Sequence, residues 1–314
     1  MLIKVILKEN TITIQQRQYL DMINNPKFLK AGDTIGICAP SGRFDVEKLE
    51  RGILVLKNLG FQIWVPQDIF QEKRYLAGGD RSRANCVNQL FSDPGIDGII
   101  CARGGFGAMR ILNYLDWDLI RKHPKAFIGF SDITAILMSI IEETGMPVIH
   151  GPSVVSLAGA DQKTLDSLVN TLSGKKETIE IPGAAVIKEG ACLGILKGGN
   201  LSTLCHLMGT RFQPDFSDAV LFFEDIGEPA YKIDRMLTQM KMAGLFDNIR
   251  GVITGSFENC RNEEYIEEII RECFNEYPVP VISGLDAGHG KTNLSLSFGK
   301  PLQMDTKTLK IQWI

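Results

Sequence analysis

The chain has 314 residues, enough for about two domains, and its hydrophobic (44%), charged (23%) and aromatic (8%) fractions are typical of a globular protein. These fractions exclude a disordered, collagen-like or coiled-coil protein. The net charge of -3 gives no overall field that would attract nucleic acid or an anionic membrane, and no apolar run approaches the ~18 residues of a membrane span. We therefore expect neither nucleic acid nor a membrane as a partner.

Strands and helices alternate along most of the chain once residues 1–31, a predicted N-terminal extension, are set aside. In the first half, apolar runs predict strands at 34–39, 61–65, 98–102, 126–130 and from 148, and helical spacing predicts helices at 46–59, 81–91, 108–115 and 133–143. In the second half, the same patterns predict strands at 193–197, 219–223, 251–254, 279–282 and 309–313, and helices at 201–207, 231–242 and 263–274. Such alternation is typical of α/β proteins, in which helices cover a parallel sheet and the site lies at the carboxyl ends of the strands.

The alternation lapses between about 155 and 191, where Gly, Asp, Lys and Ser are frequent. We therefore predict an α/β domain over 32–155, a linker over 156–190 and a second, C-terminal α/β domain over 191–314.

The seven cysteines are scattered and contain no Cys-x-x-Cys pair, so neither a zinc ribbon nor a thioredoxin motif is expected. The first eight residues are too short and too interrupted for the core of a signal peptide. We expect a reduced, cytoplasmic protein without a metal or other cofactor.

The segment Gly104-Gly105-Phe106-Gly107 follows a predicted strand and opens a predicted helix. It is not a dinucleotide fingerprint, because Arg110 occupies the third glycine position. Free N–H groups at such a turn can bind an anion or a developing oxyanion, although the motif alone favours a tight turn without a binding role.

Ser131 lies where a buried strand, ending in Gly129-Phe130, meets the start of a helix. A serine on this turn projects its hydroxyl from the carboxyl edge of the sheet, as a nucleophile does, and the N–H of Asp132 faces the same space. The alternative, which this position taken alone favours, is that Ser131 only caps the helix.

A serine nucleophile needs a base, and the chain has four histidines. His289 is flanked by glycines in a loop and is the best candidate, and His150 at the end of a strand is the second. His123 lies in a polar stretch, and His206 lies in an apolar helix.

The base in turn needs a carboxylate to orient it. Glu224 and Asp225 follow the buried strand 219–223, and their spacing does not decide between them.

Several collinear segments together resemble the LD-carboxypeptidase family of serine peptidases, which includes muropeptide LD-carboxypeptidases and microcin C immunity proteins. The matching segments are Gly32–Gly42, Arg103–Gly107, Gly129–Thr134, Gly198–Leu201, Phe223–Asp225, Tyr231–Arg235, and Gly288-His289 with Asn293. The resemblance implies a triad of Ser131, His289 and Glu224, with the N–H groups of Gly105 and Asp132 as the oxyanion hole. It also implies an N-terminal domain like that of class I glutamine amidotransferases, a smaller C-terminal α/β domain, and a homodimer.

The expected function is a metal-independent serine carboxypeptidase that hydrolyses an L,D-amide next to a C-terminal D-amino acid. The expected substrate is a murein tetrapeptide, with release of D-Ala in peptidoglycan recycling, and Arg103 is the candidate partner for the terminal carboxylate. One alternative is a microcin C-type peptidase that cleaves peptidyl-nucleotides, although no Trp lies between Trp117 and Trp313 to stack on a base. An alternative of another class is a non-catalytic ligand-binding protein on the same fold.

Overall fold

The protein contains two β-sheets on which helices pack. The computed structural model describes residues 24–175 and 178–314. The mixed α/β class predicted from the alternating pattern is confirmed, including the parallel sheet of the N-terminal part. Most of the predicted N-terminal extension, residues 1–23, lies outside the described residues. Within the described residues, no helix is long and apolar enough to cross a membrane.

The first sheet has six strands in the order β12-β5-β4-β3-β1-β2, and the five strands from the N-terminal half are parallel. These five are β1 (Thr34–Cys38), β2 (Gln62–Trp64), β3 (Gly98–Cys101), β4 (Ala126–Gly129) and β5 (Val148–His150). The helices of this half are α1 (Val46–Asn58), α2 (Asp80–Ser92), α3 (Trp117–Lys122) and α4 (Thr134–Thr144). Every residue of β3 and β4 is buried, which explains why both strands are continuous apolar runs rather than alternating ones.

The sixth strand, β12 (Leu296–Phe298), comes from near the end of the chain and pairs antiparallel with β5. Leu296 is opposite His150, and Phe298 is opposite Val148. The last part of the chain therefore completes the sheet that the first part begins. The sequence did not predict this strand, because three residues are too few to show a period.

The second sheet has eight strands in the order β6-β14-β13-β8-β9-β10-β11-β7. Its strands are β6 (Thr178–Glu180), β7 (Ala185–Lys188), β8 (Ala191–Asn200), β9 (Ala219–Ile226), β10 (Gly251–Glu258), β11 (Val281–Ser283), β13 (Pro301–Asp305) and β14 (Lys310–Trp313). The helices that follow β8, β9 and β10 are α7 (Leu201–Leu207), α8 (Ala230–Met242) and α9 (Ile266–Phe274). Strands β8 to β11 are parallel, and the outer strands on both sides are antiparallel.

Residues 156–190, predicted as a linker, contain regular structure. Helix α5 (Val154–Leu157) runs into this segment, and α6 (Gln162–Leu172), β6 and β7 lie within it. In β6 only Ile179 is buried, so its apolar pattern is too short to be recognised. The predicted helix over 108–115 is instead a 3-10 helix, Met109–Tyr114.

Helix α4 of the first sheet contacts strand β8 of the second through two polar links. The Asn200 N–H donates to Thr134 Oγ1 at 3.0 Å, and the Lys197 ammonium donates to Glu142 Oε1 at 2.7 Å. Because α4 follows the short turn that Ser131 opens, these links tie the serine turn to the end of β8.

Candidate active site

Ser131 lies at the carboxyl end of β4 and opens a 3-10 turn, Ser131–Ile133, that leads into α4. Its φ is 64°, a left-handed conformation that costs a non-glycine residue about 1–2 kcal/mol. Phe130 and Ile133, not Ser131, hold the N-cap positions of the turn and of α4, so the structure does not support the capping alternative. The local geometry is therefore that of a serine held in a strained turn between strand and helix.

The loop Arg103–Gly107 packs directly on this serine. A Cβ added to Gly104 would lie 2.8 Å from Ser131 Cβ and 3.1 Å from Ser131 Oγ, so only glycine fits there. Gly105 follows with φ 107°, and its N–H has no hydrogen-bond partner among the described residues. The N–H of Asp132 belongs to the first turn of a helix, where amides lack intrahelical partners. Both N–H groups are thus available to an oxyanion.

The Asp132 side chain has a structural part in this arrangement. Its Oδ2 accepts hydrogen bonds from Ser41 Oγ at 2.5 Å and from the Ala108 N–H at 2.8 Å. These bonds tie the serine turn to the two loops that follow β1 and β3. Arg83, buried behind them, donates to the carbonyls of Pro40 and Gly107.

The His289 imidazole and the Glu224 carboxylate form a close polar pair. His289 Nδ1 lies 2.6 Å from Glu224 Oε2, and the Glu224 side chain is fully buried. Burial raises the pKa of Glu224, and the bond to His289 offsets part of that effect. Burial also disfavours the charged form of His289, but the carboxylates of Glu224, Asp225 and Glu258 together outweigh it, so the pKa of His289 lies above its ordinary value.

The imidazole of His289 also packs on the residue that precedes the serine. The ring centroids of His289 and Phe130 are 4.9 Å apart. Ser131 and His289 form no hydrogen bond to each other in the described structure. In unliganded sites such bonds are often long and shorten only when substrate binds.

Glu224 and Asp225 are adjacent on strand β9 but have different partners. The structure therefore distinguishes two acids between which the sequence did not decide. Asp225 accepts from Asn200 Nδ2 at 3.0 Å and from the N–H and Oγ of Ser202 at the start of α7. Its oxygens are therefore occupied by structural donors, whereas Glu224 faces His289.

The loop that carries His289 is held by close packing and by side chains. A Cβ on Gly288 would lie 2.5 Å from Glu224 Oε2, and the φ of Gly288 is 109°. Asn293 Oδ1 accepts from the Gly288 N–H at 3.0 Å, and Ser256 Oγ accepts from the Gly290 N–H at 2.9 Å. The glycines thus allow the loop to pack closely against its neighbours and do not make it flexible.

Asn200 connects this pair to the serine helix. Its backbone N–H donates to Thr134, and its side-chain amide lies 3.4 Å from Glu224 Oε1. Gly199 allows the approach, since a Cβ there would lie 2.4 Å from Thr134 Oγ1.

The other histidines take no part in the pair with Glu224. His150, the second candidate base, is fully buried among Phe130, Phe222 and Phe298, and neither ring nitrogen has a partner among the described residues. Its burial lowers its pKa to about 3. His123 and His206 are exposed.

Arg103 is exposed and lies at the start of the Gly104-Gly105 loop. Its guanidinium donates to the Arg43 carbonyl at 2.7 Å, and no carboxylate pairs with it among the described residues. The described residues also contain no group of three His, Cys, Asp or Glu side chains placed to hold a metal ion.

The chain that carries this serine turn, glycine loop and His–Glu pair is similar to the members of one protein family. The LD-carboxypeptidase N-terminal domain matches residues 35–151, and the LD-carboxypeptidase C-terminal domain matches residues 193–304. The chain belongs to the LD-carboxypeptidase family, as its motifs predicted.

Individual relatives span nearly the whole chain. A probable murein peptide carboxypeptidase of Bacillus subtilis is 35% identical over 90% of this chain and 91% of its own length. A solved muramoyltetrapeptide carboxypeptidase from Oxalobacter formigenes is 29% identical, has a TM-score of 0.81 and covers 89% of this chain and 97% of its own. A solved MccF in complex with glutamyl sulfamoyl guanosine is 26% identical, has a TM-score of 0.87 and covers 92% and 97% of the two chains.

Sequence reasoning from single residues missed several members of the site. Thr134, Ser256 and Phe130 act through packing or single hydrogen bonds, which leave no pattern in the sequence. Asn200 has a detectable signal, because an Asn between a strand and a helix is a favoured N-cap, and its side chain does accept from the Thr203 N–H.

Proposed function

We propose that this protein is a serine carboxypeptidase that hydrolyses the L,D-amide before a C-terminal D-amino acid, with murein tetrapeptide as substrate and D-Ala as product. The observation that carries this proposal is the buried Glu224–His289 pair, 2.6 Å between oxygen and nitrogen, packed against the residue before the strained Ser131. The curated and solved relatives named above as murein peptide and muramoyltetrapeptide carboxypeptidases support the substrate class.

In the proposed reaction, Ser131 Oγ attacks the scissile carbonyl carbon while His289 takes its proton. Glu224 accepts the Nδ1–H of His289, fixes the tautomer that leaves the other ring nitrogen free, and stabilises the imidazolium. His289 then protonates the leaving amine, D-Ala departs, and water hydrolyses the acyl-enzyme by the same proton route.

The oxyanion of each tetrahedral intermediate is proposed to bind the N–H groups of Gly105 and Asp132. Fixed backbone donors of this kind contribute roughly 10²–10³ in rate each. Arg103 is proposed to bind the terminal carboxylate of the substrate, because it is cationic, exposed and next to the glycine loop.

The test is release of D-Ala from murein tetrapeptide, measured by chromatography, together with labelling of the protein by a serine-directed fluorophosphonate. We expect D-Ala release, one label per chain on Ser131, and no product from a tetrapeptide that ends in L-Ala. Absence of both D-Ala release and labelling contradicts the proposal and favours the non-catalytic alternative.

A second candidate function is cleavage of aminoacyl- or peptidyl-nucleotides, as in microcin immunity. The fold similarity to MccF bound to glutamyl sulfamoyl guanosine favours it. Parallel assays with tetrapeptide and with an aminoacyl sulfamoyl nucleotide separate the two, since the proposed function requires the higher kcat/KM on the tetrapeptide.

We also propose, from the family resemblance, that the protein is a cytoplasmic homodimer. Sedimentation analysis of the full chain tests the dimer, and fractionation of the producing cell tests the location.

A further inference from the structure

A pocket of about 490 Å³ opens beside the glycine loop, and none of the roles proposed above uses its aromatic walls. Its lining residues are Gly42, Arg43, Tyr75, Arg103, Gly105 and Phe106. Gly105, the proposed oxyanion donor, forms one edge, so whatever fills the pocket lies next to the scissile carbonyl.

The pocket is built from three loops that are tied together through their backbones. The Gly42 N–H donates to the Gly104 carbonyl at 3.1 Å, and the Arg43 N–H donates to the Tyr75 carbonyl at 3.0 Å. Arg103 Nη1 reaches back to the Arg43 carbonyl at 2.7 Å. The cavity is therefore already formed without a ligand, which lowers the entropy cost of binding.

Its charge is positive within a protein of net charge -3. Arg43 is 3.3 Å from Glu72, an exposed pair of little energetic value, while Arg103 has no carboxylate partner among the described residues. An unpaired guanidinium at the wall of a pocket suits a carboxylate, which it can bind through two N–H groups.

Its apolar wall consists of two aromatic side chains that a protein ordinarily shields. Tyr75 and Phe106 are 51% and 50% exposed, and their rings meet edge to face with centroids 5.6 Å apart. An exposed aromatic pair next to a free cation is typical of a binding site for a small ligand with an anionic end and an apolar body.

We propose that this pocket receives the C-terminal residue of the substrate, with its carboxylate on Arg103 and its side chain against Phe106 and Tyr75. This inference rests on the proposed carboxypeptidase function and adds the residues that select the departing amino acid. In a carboxypeptidase the terminal carboxylate lies only one residue, ~3.8 Å, beyond the scissile carbonyl. Arg103 and Gly105 line the same pocket, so the terminus of a substrate held by Gly105 lies within reach of Arg103.

The charge contact is tested with paired substrates, a tetrapeptide with a free terminal carboxylate and the same peptide as its amide. For Arg103→Gln we expect kcat/KM on the acid to fall ~100-fold, mainly through KM, while the amide changes less than threefold. Arg103→Lys should restore part of the preference for the acid. Arg51→Gln, which removes an exposed arginine on α1, is the matched control and should leave both substrates unchanged. An equal loss on acid and amide overturns the charge contact.

The aromatic wall is tested with peptides that differ only in the last residue. Tyr75→Leu and Phe106→Leu should change the ratio of kcat/KM between terminal D-Ala and larger D-residues by at least fivefold. If the change follows residues on the acyl side of the scissile bond instead, the pocket does not hold the C-terminal residue.

Binding to Ser131→Ala protein keeps this inference separable from the proposed function. Calorimetry should show that adding Arg103→Gln to Ser131→Ala weakens binding of the acid peptide at least tenfold and leaves the amide unaffected. If no peptide is hydrolysed by the native protein but this difference is found, the catalytic proposal fails and the subsite stands. If hydrolysis occurs and the difference is absent, the subsite fails alone.

Discussion

At the scale of the residue, Ser131 combines a proposed chemical role with a strained backbone, and the two can be measured separately. Ser131→Ala and Ser131→Gly both remove Oγ, so we expect each to lower kcat by ~10⁴-fold or more. Only glycine relaxes the strain of the φ of 64°. The free energy of unfolding of Ser131→Gly should therefore exceed that of Ser131→Ala by up to ~1 kcal/mol. Assays and denaturant unfolding check the two effects, with the exposed Ser92→Ala as control. Substantial activity in either variant contradicts the nucleophile assignment.

The burial of His150 makes the stability of the protein depend on pH. Its pKa falls from an ordinary 6.5 to about 3 because it is buried, so between these values the unfolded chain binds a proton that the folded chain does not. This contribution to stability is complete above pH 6.5 and is lost as the pH falls toward 3, at roughly 1 kcal/mol per pH unit. His150→Phe fits an aromatic environment and should remove that slope while keeping stability at pH 7.

Denaturant unfolding at several pH values between 4 and 8 measures this difference. His206→Gln changes an exposed histidine and should retain the native slope. An unchanged slope in His150→Phe would show that His150 does not stay neutral when folded.

At the scale of the element, the loop after β11 depends on a glycine that no side chain can replace. In Gly288→Ala the new Cβ would meet Glu224 Oε2 at 2.5 Å, and the positive φ would strain it further. We expect kcat to fall ~10²-fold through displacement of the His289–Glu224 pair. Gly159→Ala, whose Cβ would meet nothing within 4 Å, should behave as the native protein. Equal activity of the two variants contradicts the role given to this loop.

The elements also show where sequence reasoning succeeds and where it stops. Strands β1, β3 and β4 are buried apolar runs between turn residues, so their positions and the place of Ser131 at a strand end follow from local pattern. The choice between Glu224 and Asp225 does not, because it depends on which distant residue faces each acid. The strand β12 and the Tyr75–Phe106 wall likewise depend on partners far away in the chain.

At the scale of the whole molecule, the proposed triad draws on residues from both sheets. The sequence alone suggests that a fragment ending near residue 155 folds, because it carries its own alternating elements. The structure argues against independent folding of this fragment, because the fragment lacks β12 and the contacts of α4 with β8. We expect residues 1–155 to release no D-Ala and to lack a cooperative thermal transition. A soluble fragment with a melting temperature near that of the full chain would contradict this expectation.

Chelation tests the absence of a metal requirement. The proposed mechanism uses only protein groups, and the described residues offer no cluster of three metal-binding side chains. We expect full activity after exhaustive dialysis against EDTA, with removal of metal verified by elemental analysis. Activity that is lost and then restored by zinc would favour a metallopeptidase mechanism.

The return of β12 to the first sheet also has a consequence in time. During synthesis at ~5–20 residues per second, the ribosome needs roughly 7–30 s to proceed from β5 to β12. For that interval the apolar edge Val148–His150 has no neighbour, and an open strand edge favours association with other chains. A chaperone that covers this strand edge would therefore protect the nascent protein from association most during this interval. His289 lies only seven residues before β12, so the proposed hydrolase stays inactive until the ribosome has passed this loop.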